Sequence, residues 1–165
     1  MTARRSITAA EALAHFASEI RIDSIPPAVR DNAVLRVLDT IGCALAAREA
    51  DFAPSVFDLV GEWGGRGPCS VIGSPARTTP PTAALANGCL AHGLDLGDTH
   101  AGSITHCSAV LVPVVLALGE SERLDGRSAI AGLVAGYEAI TRIGLAAPGR
   151  FSRGSRPIGA GRTRP

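Results

Sequence analysis

Asn87–Val110 reads NGCLAHGLDLGDTHAGSITHCSAV. It holds three of the chain's four histidines, His92, His100 and His106, with Asp95 and Asp98 among them. Its flanks, TAALA before and LVPVVLALG after, are apolar and helix-like. Ionisable groups set between two segments that read as buried are costly unless they are paired or put to use. The stretch therefore reads as the end of one buried helix, a polar loop rich in glycine, and the start of the next. That pattern points to stacked helices and makes the loop the first place to look for chemistry.

Outward from the loop, the same alternation of helix and punctuation continues. Toward the N-terminus, Thr79-Pro80-Pro81 opens an alanine-rich helix over 80–93. Pro68–Gly73 is the one stretch that reads as a strand, short and bounded by glycine. A helix over 53–63 is stopped by Gly64-Gly65. Before it, a helix over 27–47 starts at Pro26-Pro27, with Val34, Val37, Leu38, Ile41, Ala44 and Leu45 at helical spacing and small residues at Gly42 and Ala44 for close packing. Thr8 and Glu11 form a capping-box pattern that opens a helix over 8–20. Its stripe is Leu13, Phe16, Ala17 and Ile20, and His15 falls outside it.

Toward the C-terminus, 108–123 is almost wholly apolar, so buried on most sides, with Pro113 in its first turns. Asp125-Gly126 turns the chain into an amphipathic helix over 127–146, ended by Pro148-Gly149. From Phe151 on, arginines alternate with Gly, Ser and Pro without an apolar period. The expected fold class is all-α, a multi-helix layered domain over 6–150, followed by an irregular tail over 151–165.

Composition narrows the function classes. At 165 residues with 46% apolar and 19% charged side chains, the chain is one globular domain. A net charge of +1 with no basic stripe argues against nucleic acid. All 16 basic residues are arginine, so a Schiff-base or Walker lysine is excluded within these residues. The cysteines Cys43, Cys69, Cys89 and Cys107 fit no CxxC pattern, which suits free thiols in a reducing cytoplasm. Apolar runs are too short to span a membrane.

Within the loop, His92 and Asp95 lie three residues apart, on one helical face, with Thr99 beyond. Thr105–Ser108 sits at a helix start, where free N–H groups and the dipole favour a carboxylate. A neutral His106 there has the chemistry to take a proton from a carbon next to a carboxylate, or to give one to a leaving hydroxyl. Plainer readings stand beside this one. Asp98, Ser103 and Thr105 are good N-cap residues, and a histidine such as His92 more often ends up as a satisfied packing residue than as a ligand. His92, Asp95, Asp98, His100 and His106 could also supply metal ligands for a hydrolase, though their spacing matches no zinc signature.

AHGLDLGDTHAGSITHCSAVLVPVVLALGE, with its LDxxDTH and THxSA elements, resembles the signature segment of the MmgE/PrpD family, which includes 2-methylcitrate dehydratase, cis-aconitate decarboxylase and iminodisuccinate epimerase. LAHFASEIRIDSIPPAVRDNAVLRVLDTIGCALAA is similar to that family's opening helices, and GYEAITRIGLAAPGRF to a later one. The resemblance implies a helical domain joined to an α/β lid, a cytoplasmic homodimer, and lyase or isomerase chemistry on di- or tricarboxylic acids such as the 2-methylcitrate of propionate catabolism. It implies no metal and no other cofactor. Carried over to this sequence, His106 becomes the acid/base group, and Asp95 and Thr99 substrate ligands; Thr105, at the same helix start, joins them as a carboxylate contact.

Departures from the family pattern are specific. Members are more than twice this length, so the lid and a later active-site lysine have no counterpart here, and Gly97 stands where many members have an aspartate. A histidine-rich run that normally follows the arginine-phenylalanine pair is replaced by Phe151–Ile158, FSRGSRPI. The ending reads as that of a truncated or frame-shifted product, which makes a non-catalytic helical remnant the rival expectation.

Overall fold

A computed structural model describes residues 7–146. The expected tail over 151–165, and the outermost residues of the expected 6–150 domain, lie outside the described residues. Among those described there are six α-helices and a single two-stranded sheet: α1 (Ala9–Glu19), α2 (Pro27–Ala46), α3 (Ala53–Trp63), β1 (Cys69–Ser70), β2 (Arg77–Thr78), α4 (Pro80–His92), α5 (Cys107–Glu122) and α6 (Gly126–Leu145). The all-α expectation holds, and most boundaries fall within a residue of their sequence signals.

Those signals act as local chemistry dictates. At α1 the Thr8 side chain accepts from the Glu11 amide while Glu11 reaches back to the Thr8 amide, closing both halves of the capping box. Proline occupies the first turns of α2, α3 and α4, where its missing N–H costs nothing. Asp125 caps α6 by accepting from the Ser128 amide at 2.8 Å.

The core is built on α4, packed against α2, α3 and α5. Leu90 and Ala91 of α4 pack with Ala44, Ala47, Ala53 and Ala109 in the first cluster, while Ala86 meets Val60 and Val71, and Ala83 meets Cys69 and Ala117. Small side chains at those contacts bring the helix axes close. A second cluster, Ala33, Val112 and Leu133, joins α2, α5 and α6. Burying Leu90 and Leu133 completely contributes about 1.5–3 kcal/mol each.

The sheet is an antiparallel pair with Cys69 opposite Thr78 and Ser70 opposite Arg77. Such a short ladder cannot hold itself, and side chains from the helices pin it. Asn87, buried in α4, accepts from the Ile72 amide and donates to the Ser70 carbonyl. Glu120 of α5 accepts from both the amide and the hydroxyl of Ser70, each at 2.6 Å.

Two expectations about helix faces change. In α1 the anticipated stripe is only partly covered, and none of its residues is fully buried. In α2 the buried residues are Ala33, Thr40, Cys43 and Ala44, whereas Val34, Leu38 and Leu45 of the expected stripe are exposed. Gly42 faces open space rather than a packed neighbour. The interior face of α2, where α4 and α5 pack, is thus lined by small side chains rather than by the leucines.

Candidate functional site

The 93–106 segment links α4 to α5 and folds back on itself. The His100 amide donates to the Thr105 carbonyl at 2.9 Å, and the Ile104 amide donates to the His100 carbonyl at 2.9 Å. Inside this loop the Ser103 amide and hydroxyl both reach His100 Nδ1, at 3.2 and 2.7 Å. An amide can only donate, so Nδ1 is an acceptor and neutral His100 carries its proton on Nε2. Ser103 also meets the Thr105 hydroxyl at 2.6 Å, and Thr105 meets the Cys107 thiol at 3.3 Å. His100, Ser103 and Thr105 therefore hold the loop together.

Asp95 and Ile104 both take left-handed backbone angles, φ 54° and 53°. Aspartate tolerates that region, but a β-branched isoleucine is strained there. The loop also requires glycine at two approaches. Gly144 of α6 packs against Ser103, where a Cβ would stand 2.9 Å from the Ser103 carbonyl oxygen. At Gly93 a Cβ would overlap the ring of Phe52.

Asp98 settles how α5 begins. Its Oδ1 accepts from the Ser108 amide at 3.0 Å, and its Oδ2 accepts from the Tyr137 hydroxyl at 2.8 Å with Arg36 Nη1 3.7 Å away. The Ser108 hydroxyl in turn donates to the Tyr137 oxygen in a short contact. Burial alone would raise the Asp98 pKa, but hydrogen bonds from Tyr137 and Ser108, with the Arg36 charge, bring it below the ordinary carboxylate value. Tyr137 moves the opposite way, its pKa raised by burial and by the adjacent Asp98 carboxylate. At the helix start that was expected to receive a ligand carboxylate, the Ser108 amide is held by the protein's own Asp98.

With Asp98 and His100 engaged, the five-residue metal set read from the sequence contracts. What remains together is His92, Asp95, Thr99 and His106. His106 sits at the N-cap of α5, and its Nδ1 lies 3.1 Å from the Thr99 hydroxyl. Its ring centroid is 5.0 Å from that of His92, tilted by 52°. Asp95, with its amide bonded to the His92 carbonyl, has its carboxylate within 4.8 Å of the ligating nitrogens of both histidines.

His92 and His106 form the polar end of an open groove of about 530 Å³ between α4 and α5. Its other walls include Phe52, Leu85, Val110 and Val114, and no arginine is among the described residues that line it. A second cleft of similar volume lies between the α1–α2 turn and the start of α6, and there Arg21 and Arg127 supply positive charge. Sequence reasoning missed Tyr137, Arg36 and Phe52, because nothing local links them to the loop. Among the described residues no helix is long and apolar enough to cross a membrane.

The comparisons with known proteins agree on one family. A family model described as the MmgE/PrpD N-terminal domain matches residues 11–155. Cis-aconitate decarboxylase-like protein oryM of Aspergillus oryzae is 29% identical over 151 residues, covering 86% of this chain and 31% of that protein. Cis-aconitate decarboxylase of Aspergillus terreus is 28% identical over 139 residues, covering 81% of this chain and 28% of that protein. The chain spans less than a third of the length of these curated relatives.

Proposed function

Because the chain belongs to the MmgE/PrpD family, we propose that its 93–106 loop is the proton-transfer part of a lyase or isomerase site for di- or tricarboxylic acids, such as cis-aconitate or 2-methylcitrate. His106 is the acid/base group. The observation that carries this reading is the Thr99 hydroxyl at His106 Nδ1. A hydroxyl both donates and accepts, so it holds the ring in either protonation state and leaves Nε2 to exchange the proton.

Nε2 then takes the proton from a carbon beside a carboxylate, or delivers one to a departing hydroxyl or to the carbanion left by loss of carbon dioxide. Asp95 and Thr99 orient the substrate hydroxyl and acid groups at the groove mouth. Thr105 acts at the same place by fixing the loop that presents them. Among the described residues the groove brings no arginine to the substrate carboxylates. The working assembly is a cytoplasmic homodimer, and the exposed apolar row of α2, Val34, Leu38 and Leu45, is suited to association.

A chimera tests the reading. Residues 87–110 of this chain replace the matching segment of the A. terreus cis-aconitate decarboxylase, and carbon dioxide release is followed. Turnover is expected to survive the exchange and to fall by about 100-fold or more in its His106→Gln form, with an unchanged melting temperature. A folded chimera that is silent, or one indifferent to His106→Gln, contradicts it.

A further inference from the structure

We propose that His92, Asp95 and His106 form a chelating site for a divalent transition-metal ion of the Zn²⁺, Co²⁺ or Ni²⁺ class, and that occupation of it blocks His106. The ligating atoms of the three side chains lie within 4.8 Å of one another. Around a tetrahedral centre with bonds of about 2.1 Å, ligands stand about 3.4 Å apart. Closing the triad therefore takes movement on the order of an ångström, within reach of side-chain rotation. His92 and Asp95 are exposed and free to make it.

The local backbone favours convergence. His92 is the last residue of α4, and the Asp95 amide bonds to its carbonyl at 2.9 Å. The left-handed turn at Asp95 brings its carboxylate back toward the histidine. The two imidazoles are tilted by 52° rather than stacked, so their nitrogens can face one ion. The Thr99 hydroxyl on Nδ1 holds the His106 ring in place, as outer partners do for metal-bound imidazoles.

Two imidazoles with one carboxylate are borderline ligands. They favour zinc, cobalt or nickel over magnesium and calcium, which take oxygen donors. The other histidines offer less. His100 is turned onto Ser103, and His15 pairs with Glu19 at 3.1 Å on α1. Metal binding itself stands apart from the acid/base reading; only the block on proton transfer rests on it.

The test is calorimetric titration of the 165-residue chain with Zn²⁺, with Mg²⁺ as the control, and NMR of the same chain with Co²⁺. One Zn²⁺ per chain is expected, with affinity lowered about tenfold or more in His92→Ala and in Asp95→Asn, since even outer partners of a metal site carry that much. His15→Ala and Cys89→Ser are expected to bind as the parent does. Co²⁺ is expected to broaden the ring signals of His92 and His106 first, a readout that needs no variant. Absence of Zn²⁺ uptake, binding that survives both ligand changes, or loss in Cys89→Ser would overturn the site and leave the proton-transfer reading standing.

Discussion

At the scale of single residues, the loop combines one strained position with one strongly held carboxylate. Ile104 is largely exposed, so its side chain contributes little packing to offset a left-handed backbone. Ile104→Asn is expected to stabilise the chain by about 1 kcal/mol, read from the urea midpoint. A loss of stability would mean that its side chain packs more than its exposure shows. Asp98 is only 10% exposed and carries the α5 amide, Tyr137 and Arg36. Its removal in Asp98→Ala leaves those groups unmatched and is expected to cost about 2–4 kcal/mol. Because the folded pKa is depressed, the folded protein binds fewer protons than the unfolded chain just below the ordinary carboxylate value. The stabilisation is complete above about pH 4 and disappears as pH falls through the folded value. Urea titrations from neutral to strongly acid pH should therefore show the parent and Asp98→Asn converging as pH drops. A constant gap between them would refute that origin.

At the scale of elements, the loop depends on what α3 and α6 place against it. Gly144→Ala would push a methyl into Ser103, and the loop that carries Thr99 and His106 has to give. About 1–3 kcal/mol of destabilisation is expected, together with shifted amide signals from His100 to His106 in NMR. Unchanged signals there would mean that α6 does not support the loop. The start of each helix was legible because caps and prolines act locally, as at Thr8, Pro27 and Asp125. The buried face of α2 was not. Val34 and Leu38 obey the helical period as well as Ala33 and Ala44 do, and only the nearness of α4 decides between the two faces. The β2 strand was hidden for a related reason: Arg77-Thr78 has no alternation to read, and Asn87 and Glu120 hold the paired segment from afar. In the loop, the sequence placed Asp95, Thr99 and His106 near one another. It could not show that Asp98 points to Tyr137 rather than to a ligand, since that contact spans 39 positions.

At the scale of the whole molecule, the helical stack carries much apolar surface outward. Leu38 is 67% exposed and Leu35 60%, and the groove beside His106 is walled by Leu85, Val110 and Val114. Surfaces of this kind associate. The chain is expected to sediment as a dimer at micromolar concentration, and Leu35→Lys with Leu38→Glu to return it to a monomer at similar thermal stability. A monomeric parent would contradict the assembly. The two clefts also make the location of the carboxylate site a decidable matter. The His92/His106 groove has the proposed proton-transfer group, while the cleft near Arg21 and Arg127 has the positive charge. The most direct measurement is an NMR titration of the ¹⁵N-labelled chain with cis-aconitate. The expected result is a set of shifts centred on the imidazoles of His92 and His106 and the amides of Asp95 and Thr99. Shifts confined to the Arg21–Arg127 cleft, or none at all, would contradict it.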